Sequence, residues 1–142
     1  MIFPRALISP YIADSASNPQ SAYAQLNEFK LTAGDAAADD SFGGSVSISG
    51  DYAVVGASLD GDNGTASGSA HLFKRSDTSW IEEIKLLASD GATTDRFGST
   101  VNISADYAVV GALGDDNENG SGLGSAYLYN LQDPFAVRRI LK

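Results

Sequence analysis

Along much of the chain, apolar residues alternate with small polar ones. Val46 and Ile48 alternate with Ser, and Val101 and Ile103 alternate with Ser or Asn. A period of two is that of a strand with one buried face. Each run ends in a reversal, Ser49-Gly50-Asp51 or Ser104-Ala105-Asp106, made of residue types that favour turns. The next run, Tyr52-Ala53-Val54-Val55-Gly56-Ala57, is nearly continuous in its apolar character and rich in small residues. That predicts a strand in the crowded inner part of a sheet. After a polar loop, Ser69-Ala70-His71-Leu72-Phe73 alternates again. Trp80 to Leu87 predicts a fourth strand, with Ile81, Glu83, Lys85 and Leu87 on one face and Glu82, Ile84 and Leu86 on the other. The mixture on each face is that of an outer strand.

This pattern occurs twice. A shift of about 55 residues carries Lys30-Leu31-Thr32-Ala33-Gly34-Asp35 onto Lys85-Leu86-Leu87-Ala88-Ser89-Asp90 and Phe42-Gly43 onto Phe97-Gly98. It also carries Asp51-Tyr52-Ala53-Val54-Val55-Gly56-Ala57 onto Asp106-Tyr107-Ala108-Val109-Val110-Gly111-Ala112 without a change. After one inserted residue, Gly68-Ser69-Ala70 meets Gly124-Ser125-Ala126. Four short strands per unit, repeated in tandem, predict an all-β fold of two four-stranded antiparallel β-propeller blades. The repeats span 34–88 and 89–142. Residues 25–33 align with Trp80 to Ala88 and are expected to form the outer strand of a preceding blade, and Phe135 to Lys142 falls where the next outer strand begins. Residues 1–24 match no repeat and read as a linker or as a short helix capped by Asn18, with Pro19 in its first turn. Propellers close with typically about 4–8 blades. Two blades therefore imply either part of a larger propeller or self-association of several chains to complete one.

Composition narrows the function classes. Hydrophobic residues make up 43% of the 142, enough for a packed core. The net charge is −9, supplied mostly by Asp rather than Glu, which places acid in turns and loops rather than on helix faces. Such a chain lacks the basic surface that nucleic acid requires. With no Cys, disulfides, thiolate metal sites and cysteine nucleophiles are excluded. No apolar run reaches the ~20 residues of a membrane-spanning helix. The segment Met1 to Tyr11 is mildly apolar but broken by Pro4, Arg5 and Pro10, which makes it a poor signal peptide.

The Phe-Gly pair, the later Val-Gly-Ala and the acidic, Gly-rich loop after it resemble the FG-GAP repeat. That repeat is the blade unit of integrin α-subunit propellers and of many bacterial secreted proteins. The run from Lys85 to Gly98, Lys-Leu-x-Ala-x-Asp-Gly-Ala-x-x-Asp-Arg-Phe-Gly, is similar to the bacterial variety. The resemblance covers about residues 28 to 130, although the family motif's final Pro is replaced by Ser58 and Leu113.

The loop after Gly-Ala carries the candidate chemistry. Asp115, Asn117 and Asn119 hold alternate positions before Gly120, the opening of a calcium loop in which oxygen side chains wrap a hard cation. Asp60 and Asp62 keep the first and third positions in the other copy, where Gly64 holds the fifth. The resemblance implies calcium here. The acidic ligand that the family places at the ninth position is Leu123 in this chain, so weak binding is expected. A second acidic set, Asp35, Asp39, Asp40, Asp90 and Asp95, is expected to fix turns by accepting backbone N–H groups. His71 is the only histidine and its repeat partner is Tyr127, so the position calls for a ring rather than a base. Neither a Gly-x-Ser-x-Gly elbow nor a His-based triad is visible in the sequence.

The expectation is therefore a non-enzymatic, extracellular or cell-surface propeller module, bacterial in kind, serving adhesion or protein interaction. Its ligand would be a protein or glycan bound at the loop face. Two alternatives stand beside it: an accessory propeller of a secreted hydrolase or lyase, and a carbohydrate-binding lectin assembled from two-blade chains.

Overall fold

In the computed structural model, which describes residues 26–132, every regular element is a strand. The first sheet has the order β1-β2-β3-β4, formed by Phe42–Ser49, Tyr52–Ala57, Ser69–Ser76 and Ser79–Leu86. The second has the order β5-β6-β7, formed by Phe97–Ser104, Tyr107–Ala112 and Ser125–Asn130. All pairings are antiparallel and sequential, as expected of two propeller blades. The fourth strand expected at Phe135 to Lys142 and the linker or helix expected over 1–24 lie outside the described residues. Residues 26–33 form no strand, and no sheet of a preceding blade, to which the outer strand expected over 25–33 would belong, is among the described residues.

The repeat recurs in register. Val46 stands opposite Val55 and Val55 opposite His71; one repeat later Val101 stands opposite Val110 and Val110 opposite Tyr127. These residues share what is here called the front face of each sheet. Val54, Ala70, Leu72, Ile84 and Leu86 lie on the back face of the first sheet. They form one core with Phe97, Ile103, Ala108, Val110 and Ala112 on the front of the second. The two sheets thus stack front on back. A separate, smaller cluster of Ala53, Val55 and Phe73 lies on the front of the first sheet, flanked by Leu31, Phe42 and Trp80.

The mixed faces of the outer strand have a local cause. Leu72 stands opposite Ile84 but Phe73 stands opposite Glu82, so Glu83 is the extra residue of a β-bulge. Beyond the bulge the alternation reverses. Ile84 and Leu86 reach the core, while Glu82 and Lys85 both emerge on the front beside His71.

The Phe-Gly pair also sits on an irregularity, identical in both repeats, where two residues of the strand have no opposite partner. Phe97 is wholly buried, its ring edge-on to Tyr127 at 5.2 Å and to Tyr129 at 6.3 Å. Gly98 has φ +86° and passes so close to the first sheet that a Cβ there would lie 2.0 Å from the Ser69 carbonyl oxygen. Gly43, its repeat equivalent, has φ +91° but would meet nothing within 4 Å.

These two glycines separate conformation from packing. Gly43→Ala is expected to lower stability by about 1 kcal/mol, from backbone strain alone. Gly98→Ala adds a backbone collision and is expected to lose about 3 kcal/mol or more. Urea unfolding of both variants measures the difference; equal losses would contradict the packing described.

Candidate functional site at the loop edge

The register determines where loops can go. Phe42, Ala57, Ser69 and Leu86 stand together at one edge of the first sheet. The connection from β2 to β3 and the one from β4 to β5 therefore both leave from that edge, and the β6–β7 loop leaves from its equivalent. Among the described residues, the connections at the opposite edge are tight turns at Gly50-Asp51, Asp77-Thr78 and Ala105-Asp106. The long edge gathers Asp35, Asp60, Asp62, Asp90, Asp95, Asp115, Asp116 and Glu118.

Within this edge, Asp35, Asp60 and Asp62 bring carboxylate oxygens within 4.8 Å of one another. An all-oxygen set of this kind could hold a metal ion. Lys85 projects from β4 into the same place. Its Nζ lies 2.5 Å from Asp35 Oδ2, 2.6 Å from Asp60 Oδ2 and 2.7 Å from Asp62 Oδ2. The ammonium thus stands in the position that a bound cation would share with these three carboxylates. Burial works against charge on Lys85, but hydrogen bonds to the three aspartates outweigh it and hold the ammonium above its usual range. Burial likewise disfavours the Asp60 carboxylate. The Lys85 ammonium, the Ser69 hydroxyl and the Asp62 N–H together reverse that effect and hold Asp60 below the usual carboxylate range.

From Asp60 a chain of polar contacts runs inward. Ser69 Oγ donates to Asp60 Oδ2 at 2.7 Å and lies 3.1 Å from His71 Nε2. His71 Nδ1 is 2.7 Å from Glu82 Oε1, and Glu82 Oε2 accepts the Gly34 N–H at 2.7 Å. Ser, His and a carboxylate are thus in line, an arrangement that reading the sequence does not find because the bulge at Glu83 is what brings Glu82 to this face. Both Ser69 and His71 are fully buried. The single Ser69 proton has a carboxylate to go to, and the hydroxyl is closed off from solvent. His71 also fills the ring position: it is edge-on to Phe42 at 5.3 Å, as Tyr127 is to Phe97.

The loop of the second repeat is organised differently. Asp115 is buried and accepts the Ser125 hydroxyl, the counterpart of the Asp60–Ser69 bond. Asn117 Oδ1 accepts the Asn119 N–H at 3.0 Å, and Asn117 exchanges backbone bonds with Gly120 at 3.0 and 2.9 Å. Asp116 Oδ1 accepts the Gly122 N–H at 2.6 Å. Asp115, Asn117 and Asn119 therefore shape the loop with bonds of their own. No further group of three acidic or histidine side chains within reach of one ion occurs among the described residues.

The acidic set before each Phe-Gly divides. Asp40 accepts the Ala37 N–H at 2.9 Å and Asp95 accepts the Ala92 N–H at 2.6 Å, which is the turn-fixing role. Asp35 instead meets Lys85, and Asp90 accepts the Tyr127 hydroxyl proton at 2.7 Å. The neighbouring Tyr129 hydroxyl is pushed up to about 12, by burial first and then by the charge of Asp90.

Comparison with known proteins places this geometry. A family profile described as FG-GAP repeat matches residues 26–73 and again 80–129. Neither a curated protein nor a solved structure matches the chain significantly.

Replacing Lys85 with Met keeps the stem and removes the charge, leaving three carboxylates facing one another. A loss of about 2 kcal/mol near neutral pH is expected. Asp60 titrates lower in the fold than in the unfolded chain, so its contribution is present above the ordinary Asp range and is lost as pH falls through the folded value. Lys85 titrates higher, so its contribution is present below the ordinary Lys range and disappears only in alkali. The stability gap between wild type and Lys85→Met is thus widest from about pH 5 to about pH 9 and narrows in acid. Denaturant unfolding across pH measures it, and a gap that stays flat into acid would contradict the ion-pair assignment.

Proposed function

The chain belongs to the FG-GAP repeat family, and we propose that it is a non-enzymatic binding module of an extracellular or cell-surface protein. Its ligand is a protein or a glycan met by the loop edge. The observation that carries this reading is the division between the two edges. Among the described residues, one edge is closed by two-residue turns, while the other presents every long loop and most of the acid. Loops held on a rigid sheet are where binding residues concentrate. The one Ser–His–carboxylate line supports a scaffold role, since its serine and histidine are fully buried.

Calcium is the cation that suits an all-oxygen donor set of this size. At the first loop it competes with the Lys85 ammonium for Asp35, Asp60 and Asp62. At the second it draws on Asp115 with neutral amide oxygens. Both circumstances make the binding weak.

Two measurements check these readings. Immobilised chain is exposed to panels of glycans and cell-surface proteins. Asp116→Ala and Glu118→Ala, both exposed on the loop edge, are expected to weaken binding about tenfold, while Asp77→Ala on the turn edge leaves it unchanged. Binding that follows Asp77 instead, or turnover of ester or glycoside substrates, would overturn the reading. For calcium, millimolar addition is expected to raise the melting temperature by about 3 °C and chelator to reverse it, with a smaller rise in Asp115→Ala. The absence of any shift in wild type and variant alike would remove calcium from the account.

A further inference from the structure

We infer that Asn119 is a site of spontaneous modification, losing its side-chain amide to the backbone nitrogen that follows it, and that the folded junction between the repeats spares the equivalent Asn63. Mass and charge report this change directly, so it does not depend on the ligand or the cation proposed above. Asn followed by Gly occurs twice, as Asn63-Gly64 and Asn119-Gly120, at equivalent places in the two loops. The Gly120 nitrogen attacks the carbonyl carbon of the Asn119 side chain. A five-membered succinimide closes as that N–C bond forms and the bond from the same carbon to Nδ2 breaks. Nδ2 leaves as ammonia and takes with it the proton of the Gly120 N–H. Water then opens the ring at either carbonyl, giving aspartate or isoaspartate, and the new acid releases its proton to solvent. The sequence needs neither oxidant nor enzyme. Glycine hinders the attack least, since no side chain flanks its nitrogen and its backbone turns freely.

What separates the two sites is their freedom to reach that geometry. From Glu118 to Leu123 every residue is exposed. Among the described residues, the bonds of this tip stay within its own loop. The Asn119 N–H donates to Asn117 Oδ1, the Gly122 N–H to Asp116 Oδ1, and Asn117 and Gly120 exchange backbone bonds. A Cβ at Gly120 would meet only the Leu123 side chain, at 3.4 Å. Freeing the Gly120 N–H from the Asn117 carbonyl therefore disturbs no sheet, and local opening of this kind is cheap. Gly64 is in the opposite situation. A Cβ there would lie 2.6 Å from Thr93 Oγ1 in the loop before Phe97. On either side of it, the Asn63 N–H donates to buried Ser67 Oγ, and the Thr65 and Ala66 carbonyls accept the Thr94 and Arg96 N–H groups at 2.9 and 3.0 Å. Turning the Asn63-Gly64 bond thus loosens the contact between the repeats. Asn102 is also exposed, but it precedes a β-branched residue whose N–H is held by Ser47 Oγ at 3.0 Å. Modification at Asn119 places one more negative charge beside Glu118 on the loop edge.

The whole chain, incubated for days at warm, mildly alkaline pH, tests this. Peptide mass spectrometry follows the mass gain that replacing an amide by an acid gives, an isoaspartyl methyltransferase labels the isoaspartate, and anion exchange follows the added charge. In the folded chain Asn119 is expected to react about tenfold or more faster than Asn63, with Asn102 unchanged. In concentrated urea, where the junction is gone, Asn63 and Asn119 are expected to react at similar rates. Asn119→Gln, whose longer side chain closes the ring poorly, is expected to leave the folded chain unmodified at this tip. A folded chain in which Asn119 stays intact, one in which Asn63 reacts as fast as Asn119, or an Asn63 that remains slow in urea would each overturn the inference.

Discussion

Where Gly98 passes the first sheet, the second repeat comes as near to the first as two backbones can. The residue has φ +86°, and a side chain there would occupy the same space as the Ser69 carbonyl. That approach lets Phe97 sink wholly into the junction and draws the preceding loop alongside the loop of the first repeat. Backbone bonds then run from Thr94 to Thr65, from Arg96 to Ala66 and from Phe97 to Ser67, at 2.9, 3.0 and 2.9 Å. The spacing of the sheets, the burial of Ile103 and Val110 against Val54 and Leu72, and the position of the loop around Asp60 all follow from it. The Phe-Gly pair is therefore an instruction for joining blades. Within its own blade it interrupts the strand and sets the Phe97 ring edge-on against Tyr127 and Tyr129.

Charge is distributed to protect that junction. The strands β1, β2, β5 and β6, which meet across the junction, contain no charged residue, and most of the acid of the chain lies in loops and turns. Asp60 is buried and stays ionised because a lysine from the outer strand is brought to it, with the Ser69 hydroxyl and the Asp62 N–H beside it. Removing one member of such a group leaves its partners facing like charge in a partly dry place, so the group is retained or lost as a unit. Through Ser69, His71 and Glu82 it continues to the Gly34 backbone, which ties the start of the first repeat to its outer strand.

Much of the architecture is legible in the sequence because it is written twice. The alternation at Val46 and Val101, the turns at Gly50 and Ala105, and the exchange of His71 for Tyr127 all fall where the repeat places them. The turn-fixing roles of Asp40 and Asp95 are legible for the same reason. What escapes the sequence is what the repeat does not copy. The bulge at Glu83 reverses the face of Glu82 relative to simple alternation, and no residue type announces it. Without that reversal neither the His71–Glu82 contact nor the Ser69–His71–Glu82 line can be anticipated. Lys85 reads as one more residue of a mixed outer strand. Its meeting with Asp35, Asp60 and Asp62 depends on loops from three places converging on one edge. A hint existed in a positive residue one repeat after Lys30, opposite the acidic loops, but only the register makes it a contact.

The two repeats are one cooperative body, held together by front-on-back packing rather than standing as adjacent independent sheets. Native-state hydrogen exchange measures that directly, by following amides of β2 and β6 through increasing denaturant. If the packing is what stabilises the pair, amides of Val54 and Val109 in the centres of the two sheets exchange with the same free energy and the same denaturant dependence, equal to global unfolding. If β5, β6 and β7 open at a much lower free energy while β1 to β4 stay protected, the sheets are separate units and the account is wrong.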